Sequence, residues 1–331
     1  MKKLTVIFPL CVAIGFALLP GCSKSKNVAT PSGTNSDFNA SSAADGAVDM
    51  KIKWMVGKTY AMRMEMTQTS EMKLPKQSQP MQQTMTMAQD FNFSALKKLT
   101  NGGCLLQLEF EDETMDMSQG KRKLISFDST QSSTQDSNNP VALVLRKMIG
   151  ARIQYVTDAD GKVEKIEGFD ELMNKIMANE KPQQQAMFKQ MFSKDSLKQY
   201  GSFSDALPDH PVKIGDSWSV NKNIAMPGGD MKIGMNYTFK NWEQIGDRKC
   251  AHFVDTGDIS SKDISFSTNM TMQIEKGKVF GDVWFDPDLG MIADVNSEQN
   301  MTMKMTMRGQ AMTTQINQKI RETLVDVEDT K

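Results

Sequence analysis

Cysteine and methionine are the residues through which this chain could do chemistry. It carries 4 cysteines and 28 methionines against 2 histidines. Cys22 closes an N-terminal apolar run, where a thiol is a candidate for acylation. Cys104 and Cys250 are a candidate disulfide, provided the compartment is oxidising. The methionines fall on alternate positions: Met62, Met64 and Met66, then Met85 and Met87, then Met301, Met303, Met305 and Met307. Such stripes can be flexible, gap-filling core, or an open apolar face that re-packs around a hydrophobic ligand or protein partner. They can also be soft ligands for Cu(I). Against copper, residues i and i+2 of one strand lie about 6.5–7 Å apart, and His210 and His252 are isolated in the sequence. Burial already accounts for the alternation. No metal ligand and no cofactor is therefore assigned, and core and groove both stay open.

Asp158-Ala159-Asp160-Gly161 has the look of a calcium loop but lacks the third acidic ligand and the distal glutamate of an EF-hand. Asp and Gly at this spacing suit a tight turn between strands, as do Asp286-Pro287-Asp288. There is no Gly-x-Ser-x-Gly, no His-Glu-x-x-His and no phosphate loop. The chain reads as a non-enzyme, with no catalytic residue assigned.

Where it sits is written more plainly. Met1-Lys2-Lys3 is followed by an apolar run from Leu4 to Leu19 and then by Pro20-Gly21-Cys22. The run is shorter than the ~20 residues of a membrane span, so it reads as a secretory signal. Leu19-Pro20-Gly21-Cys22 resembles the bacterial lipobox, with Pro20 a less usual occupant of its position. The resemblance implies cleavage before Cys22, acylation of that cysteine and a membrane anchor. Because Ser23 is not the aspartate that retains enteric lipoproteins at the inner membrane, it further implies the outer membrane, facing the periplasm. Residues 23 to about 48 are small and polar, a flexible tether with a reach of roughly 25–30 Å. Without Lys2 and Lys3 the chain has 37 basic and 40 acidic residues, a balance of −3. A nucleic-acid partner, which needs a basic face, is excluded on that balance.

The elements that must position these residues are strands. Tyr60, Met62, Met64 and Met66 alternate with Ala61, Arg63, Glu65 and Thr67; Met85, Met87, Phe91 and Phe93 repeat the pattern after a turn at Leu74–Pro80. A period of two over such lengths is antiparallel strand with one wet face. Leu106, Leu108 and Phe110 predict another strand and Met115 and Met117 a further piece. Later strands are predicted at 231–239, 264–274 and 301–307, with a turn at Arg308-Gly309-Gln310 into a last strand carrying Ile316, Ile320 and Leu324. In between, the spacing of Phe169, Leu172, Met173, Ile176 and Met177 predicts a helix. A second is predicted after Pro182, with Met187, Phe188, Met191 and Phe192 on its apolar face, and a shorter one at Val141–Met148.

The two halves share motifs. Val56–Tyr60 is similar to Ile214–Trp218, and Met85–Phe93 aligns without gaps on Met231–Phe239; the same offset carries Cys104 onto Cys250. The expected organisation is a signal at 1–21, the acylated cysteine and tether at 22–48, and one β-rich domain at 49–331. Within it, 49–165 and 208–331 are weakly duplicated halves around a helical insert at 166–207. The expected fold class is α+β: strongly curved antiparallel sheet with two or three helices against its apolar face.

With its lipobox and tether, the strand start IGDSW, the stretch VTDADGKVEKIEG before a helix and the late GDVWFDPDLG, the chain resembles an uncharacterised family of bacterial lipoproteins, a domain of unknown function. That resemblance brings no catalytic residue with it. More loosely, the expected architecture is similar to the lipoprotein-localisation carriers, half-barrels that enclose an acyl-chain cavity. The reading that follows is a lipid-anchored envelope protein that binds an apolar ligand or a protein partner on its methionine face. The alternative is a structural lipoprotein with a closed core.

Overall fold

Alternation of apolar and polar side chains governs most of the described chain. In the computed structural model, which describes residues 46–74, 79–132, 139–178, 185, 194–226, 229–267, 270–307 and 309–330, it produces long strands. These are β1 (Lys58–Lys73), β2 (Met81–Lys98), β3 (Cys104–Gln119), β4 (Arg122–Asp128), β5 (Arg152–Thr157) and β6 (Val163–Glu167) in the first half. The second half contributes β7 (Ser217–Met226), β8 (Gly229–Ile245), β9 (Arg248–Ser261), β10 (Ile264–Ser267), β11 (Met270–Asp286), β12 (Met291–Met307) and β13 (Gln310–Asp329). All pair antiparallel in one sheet, in the order β6-β5-β3-β2-β1-β13-β12-β11-β9-β8-β7, with β4 on β3 and β10 on β11. The sheet is open, β6 and β7 being its two ends.

The strand order runs alike in the two halves. The first half runs β1-β2-β3-β5-β6 and the second β7-β8-β9-β11-β12, and β13 joins β12 to β1. The register repeats as well: Ala95 opposes Leu106 in the first half, and Asn241 opposes His252 in the second. The β5–β6 and β11–β12 turns are built alike. Asp158 accepts from the amides of Asp160 and Lys162, and Asp286 from those of Asp288 and Leu289. Gly161 and Gly290 close them at φ 79° and 68°, a conformation only glycine adopts without strain.

Helices are few. α1 (Pro140–Met148) starts with Asn139 accepting from the amides of Val141 and Ala142. α2 (Phe169–Met177) buries Leu172, Met173 and Ile176, and α3 (Lys194–Tyr200) is a short segment that buries Leu197. Their apolar faces join the same core as the inner face of the sheet. The fold is thus mainly antiparallel β, with less helix than an α+β class implies. The helix face expected at Met187, Phe188, Met191 and Phe192 lies outside the described residues, as does part of the turn at Leu74–Pro80. Among the described residues no helix is long and apolar enough to cross a membrane.

Three expectations need correction. Leu106 to Met117 is a single strand rather than two, because the register shifts opposite Asp90 and Phe91 without breaking β3. Residues 264–274 are two strands, with Ile264 opposite Met272; a two-residue connection keeps the parity, so the alternation continues across it. The bridge between Cys104 and Cys250 is not formed. Both thiols are free and buried, at the starts of β3 and β9, with β2, β1, β13, β12 and β11 between those strands in the sheet. Matched positions in two tandem copies are related by the repeat, not by contact.

The core changes character along the strands. At one end Trp54 meets Tyr60 edge-on with ring centroids 4.9 Å apart, and Phe93 packs against Tyr155 and Phe203. Farther along β1 the inward positions become Met62, Met64, Met66, Gln68, Ser70 and Met72.

Candidate functional site

Parity decides which side chains face inward, and it brings polar residues in with the methionines. Gln68 in β1 shares the parity of Met62–Met66, Gln318 in β13 that of Ile316 and Ile320, and Gln299 in β12 that of Met301 and Met303. The register lines the three up across adjacent strands, Gln68 opposite Gln318 and Gln318 opposite Gln299. Gln299 and Gln318 are both 0% exposed. Gln318 Nε2 donates to the Met66 sulfur at 2.7 Å, while its Oε1 has no partner. Neither amide atom of Gln299 has one, nor does Thr314 Oγ1 on the same face. A buried polar group left unpaired costs about 1–3 kcal/mol, so this row is an energetic liability.

The neighbouring row is acidic. Glu113, Gln89, Met64 and Glu322 lie side by side across β3, β2, β1 and β13. Tyr200 Oη donates to Gln89 Oε1 at 3.0 Å, and Gln89 Nε2 donates to Glu113 Oε2 at 3.3 Å. Burial pushes the Glu113 carboxyl up to about 7, opposed by the Gln89 hydrogen bond; burial alone pushes Glu322 up to about 7. The Tyr200 phenol is raised by burial first and by the adjacent Glu113 and Glu322 second. In β9, Asp255 is pushed up to about 7 by burial and by the charge of Asp282, and its Oδ1 is unpartnered. Its carboxylate lies over Gly281, where a Cβ would come within 2.6 Å of Oδ2. The Met235 side chain lies over Gly257 in the same way, 2.2 Å from where a Cβ would stand. Glycine at these two inward positions makes the room.

Thioether walls around unpartnered amides and protonatable carboxyls can bind. Among the described residues no three His, Cys, Asp or Glu are grouped to hold a metal ion. His252 does not supply a free base. Its Nε2 is 2.8 Å from Asp282 Oδ1, its Nδ1 is 3.0 Å from Glu243 Oε1, and the ring stacks on Trp284 at 4.8 Å. His210 is exposed and pairs with Asp209.

A family whose description reads "Family of unknown function (DUF6263)" matches residues 101–322. This chain belongs to it. No curated protein matches. Among solved structures, one Bacteroides fragilis protein, assigned as exported with a YmcC-like fold, is 9% identical with a TM-score of 0.25, covering 84% of this chain and 99% of that one. A Parabacteroides distasonis protein assigned as a lipoprotein is 11% identical at 0.26, over 85% of this chain and 100% of that one. DynF, from the dynemicin biosynthesis pathway of Micromonospora chersina, is 6% identical at 0.21, over 88% and 92%. Such scores do not establish a shared fold. The span matched by the DUF6263 family takes in Glu113, Asp255, Gln299, Gln318 and Glu322 and leaves out Gln68 and Gln89.

The residues expected to form an apolar surface are placed inside. Met62, Met64, Met66, Met85, Met301, Met303 and Met305 are 2–5% exposed, and Met87 and Met307 are half-buried. They line the interior and are not an open face. Cys22 lies outside the described residues. The glutamine and glutamate rows escaped the sequence reading, although the parity they share with the methionines was there to find them. On the outer face of the same strands, two clefts of about 580 and 550 Å³ are lined mostly by polar side chains, Glu65, Glu298, Lys319 and Arg321 among them.

Proposed function

We propose that this DUF6263 chain is a non-enzymatic envelope lipoprotein, acylated at Cys22 and held in the outer membrane facing the periplasm, whose sheet interior receives a small amphipathic molecule. Gln299 carries the reading: a wholly buried amide with neither atom partnered, next to the inward Met301. A ligand with an apolar body and a polar group would satisfy that amide while the flexible thioethers close around it. The test is native mass spectrometry and organic extraction of the full lipoprotein taken from its own membranes, beside Gln299→Met. The reading expects a co-purifying small molecule, depleted at least tenfold in Gln299→Met.

The burial of the methionine stripes favours a second reading, a structural lipoprotein with a filled core. It expects no extractable molecule and a Gln299→Met protein that melts higher than wild type, because an unpaired amide has been removed at similar volume. The anchor is tested separately. Cys22→Ser should leave the precursor unprocessed or release the protein from membranes, and normal processing with wild-type fractionation would refute it.

A further inference from the structure

At the end of the sheet away from the aromatic core, methionines form a cluster of their own. Met72, Met305 and Met312 are buried in it, and Met81, Met270 and Met307 are half-buried around them with Leu74. The register explains the convergence. Met72 opposes Met81, Met305 opposes Met312 on one side and Met272 on the other, and Met270 opposes Met307. Thr314 stands opposite Met72, which places Met72 diagonal to Met312. Directly opposed residues hold their Cβ atoms about 4.5–5.5 Å apart, and diagonal ones remain within reach of long side chains. Two or three sulfurs from neighbouring strands can therefore meet at one point.

The composition does not follow from packing alone. Strand interiors favour β-branched and aromatic residues, and the other end of this sheet uses them. Here β2, β1, β13, β12 and β11, adjacent in the sheet, all contribute methionine. The apolar side chains gathered here are six thioethers and one leucine. A neutral thioether set selects a soft cation over zinc, calcium or magnesium, and it needs no deprotonation. Met81, Met270 and Met307 keep part of their surface open to solvent.

We propose that this cluster is a Cu(I) site, with the sulfurs of Met305, Met312 and Met72 as its ligands and Met81 or Met307 completing the coordination. The proposal is independent of the interior amphipathic ligand, since the two sites share no residue.

The test is anaerobic titration of the full chain with Cu(I) in competition with bicinchoninate. Ag(I) serves as the redox-inert probe, read on ¹³C-labelled methionine methyl groups. Met305→Leu and Met312→Leu conserve volume and should keep the fold; Met173→Leu, in α2, is the control for thioethers elsewhere. Expected are one ion per chain, affinity at least tenfold weaker in each single variant, loss in the double variant, an unchanged control, and Ag(I) shifts confined to the cluster methyls. Failure of wild type to compete overturns the proposal. So does a double variant that binds as tightly as wild type, because the ion would then sit on the cysteines or elsewhere. Equal weakening in Met173→Leu overturns it too, as unspecific thioether binding.

Discussion

Glu113, Glu322 and Asp255 hold their protons to about pH 7 in the folded chain, chiefly because burial penalises their charge. Unfolded, the glutamates release theirs near 4.5 and the aspartate near 3.8. Between those values and 7 the folded state binds more protons than the unfolded one. Each group therefore withdraws stability as pH rises through that window, and the loss levels off above 7. At 1.36 kcal/mol per unit, the displacement amounts to something on the order of 3 kcal/mol for a glutamate. Other carboxyls titrate the opposite way, Asp116 and Glu298 among them, held low mainly by side-chain hydrogen bonds. The informative quantity is thus a difference between variants. Glu322→Gln should be close to wild type in urea melts at pH 5 and clearly more stable at pH 8. A gap between the two proteins that does not change with pH would refute the account. These residues were hidden for a physical reason. Alternation reads polar residues as the wet face, but a strand fixes direction by parity and not by side-chain type. Gln68, Gln89, Gln299, Gln318 and Glu322 all sit on the apolar parity, and only that count exposes them.

Strands and turns were legible because local chemistry sets them. The runs at 60–66, 85–93, 231–239 and 301–307 alternate so strictly that no helix could bury their apolar residues on one face. Asp158 and Asp286 announce turns because a carboxylate two residues before an amide can accept from it. Both turns do so, and they differ in burial: Asp286 is 6% exposed, whereas Asp158 is half-buried. Asp286→Ala should therefore cost about 1–3 kcal/mol, since two amides lose their buried acceptor. Asp158→Ala should cost less, because water can replace the acceptor. Asp286→Asn should stay within about 1 kcal/mol of wild type, its amide oxygen accepting in place of the carboxylate. Chemical denaturation of the three variants measures this, and equal losses in Asp158→Ala and Asp286→Ala would refute it. Pairing partners were much less legible. The Cys104–Cys250 bridge was only a candidate, because position in a repeat does not specify distance. The short connection after Ser267 was missed because the inward parity is the same on both sides of it.

At the scale of the molecule, β13 is the strand on which the rest depends. Each half places five strands in the continuous row, in the same order, and nothing but β13 stands between β12 and β1. Its register with β1 runs from Lys58 opposite Asp329 to Lys73 opposite Thr313, and with β12 from Asp294 opposite Thr323 to Met307 opposite Gln310. The first pairing closes nearly the whole chain length, a contact that forms late and slowly. Until it forms, β1 and β12 are long unpaired edges beside rows of methionine, the configuration most prone to wrong association. β13 also brings Gln318, Glu322 and Met312, so both the interior row and the methionine cluster are incomplete without it. A protein ending at Met307 should consequently fail to melt cooperatively and should aggregate. Supplying residues 310–330 as a separate peptide during expression should restore a soluble complex with a cooperative transition. Size-exclusion chromatography and thermal melts of the shortened chain, with and without the peptide, decide it. A shortened chain that stays monomeric and melts like wild type would mean that the halves dock without β13, and the central role assigned to that strand would be wrong.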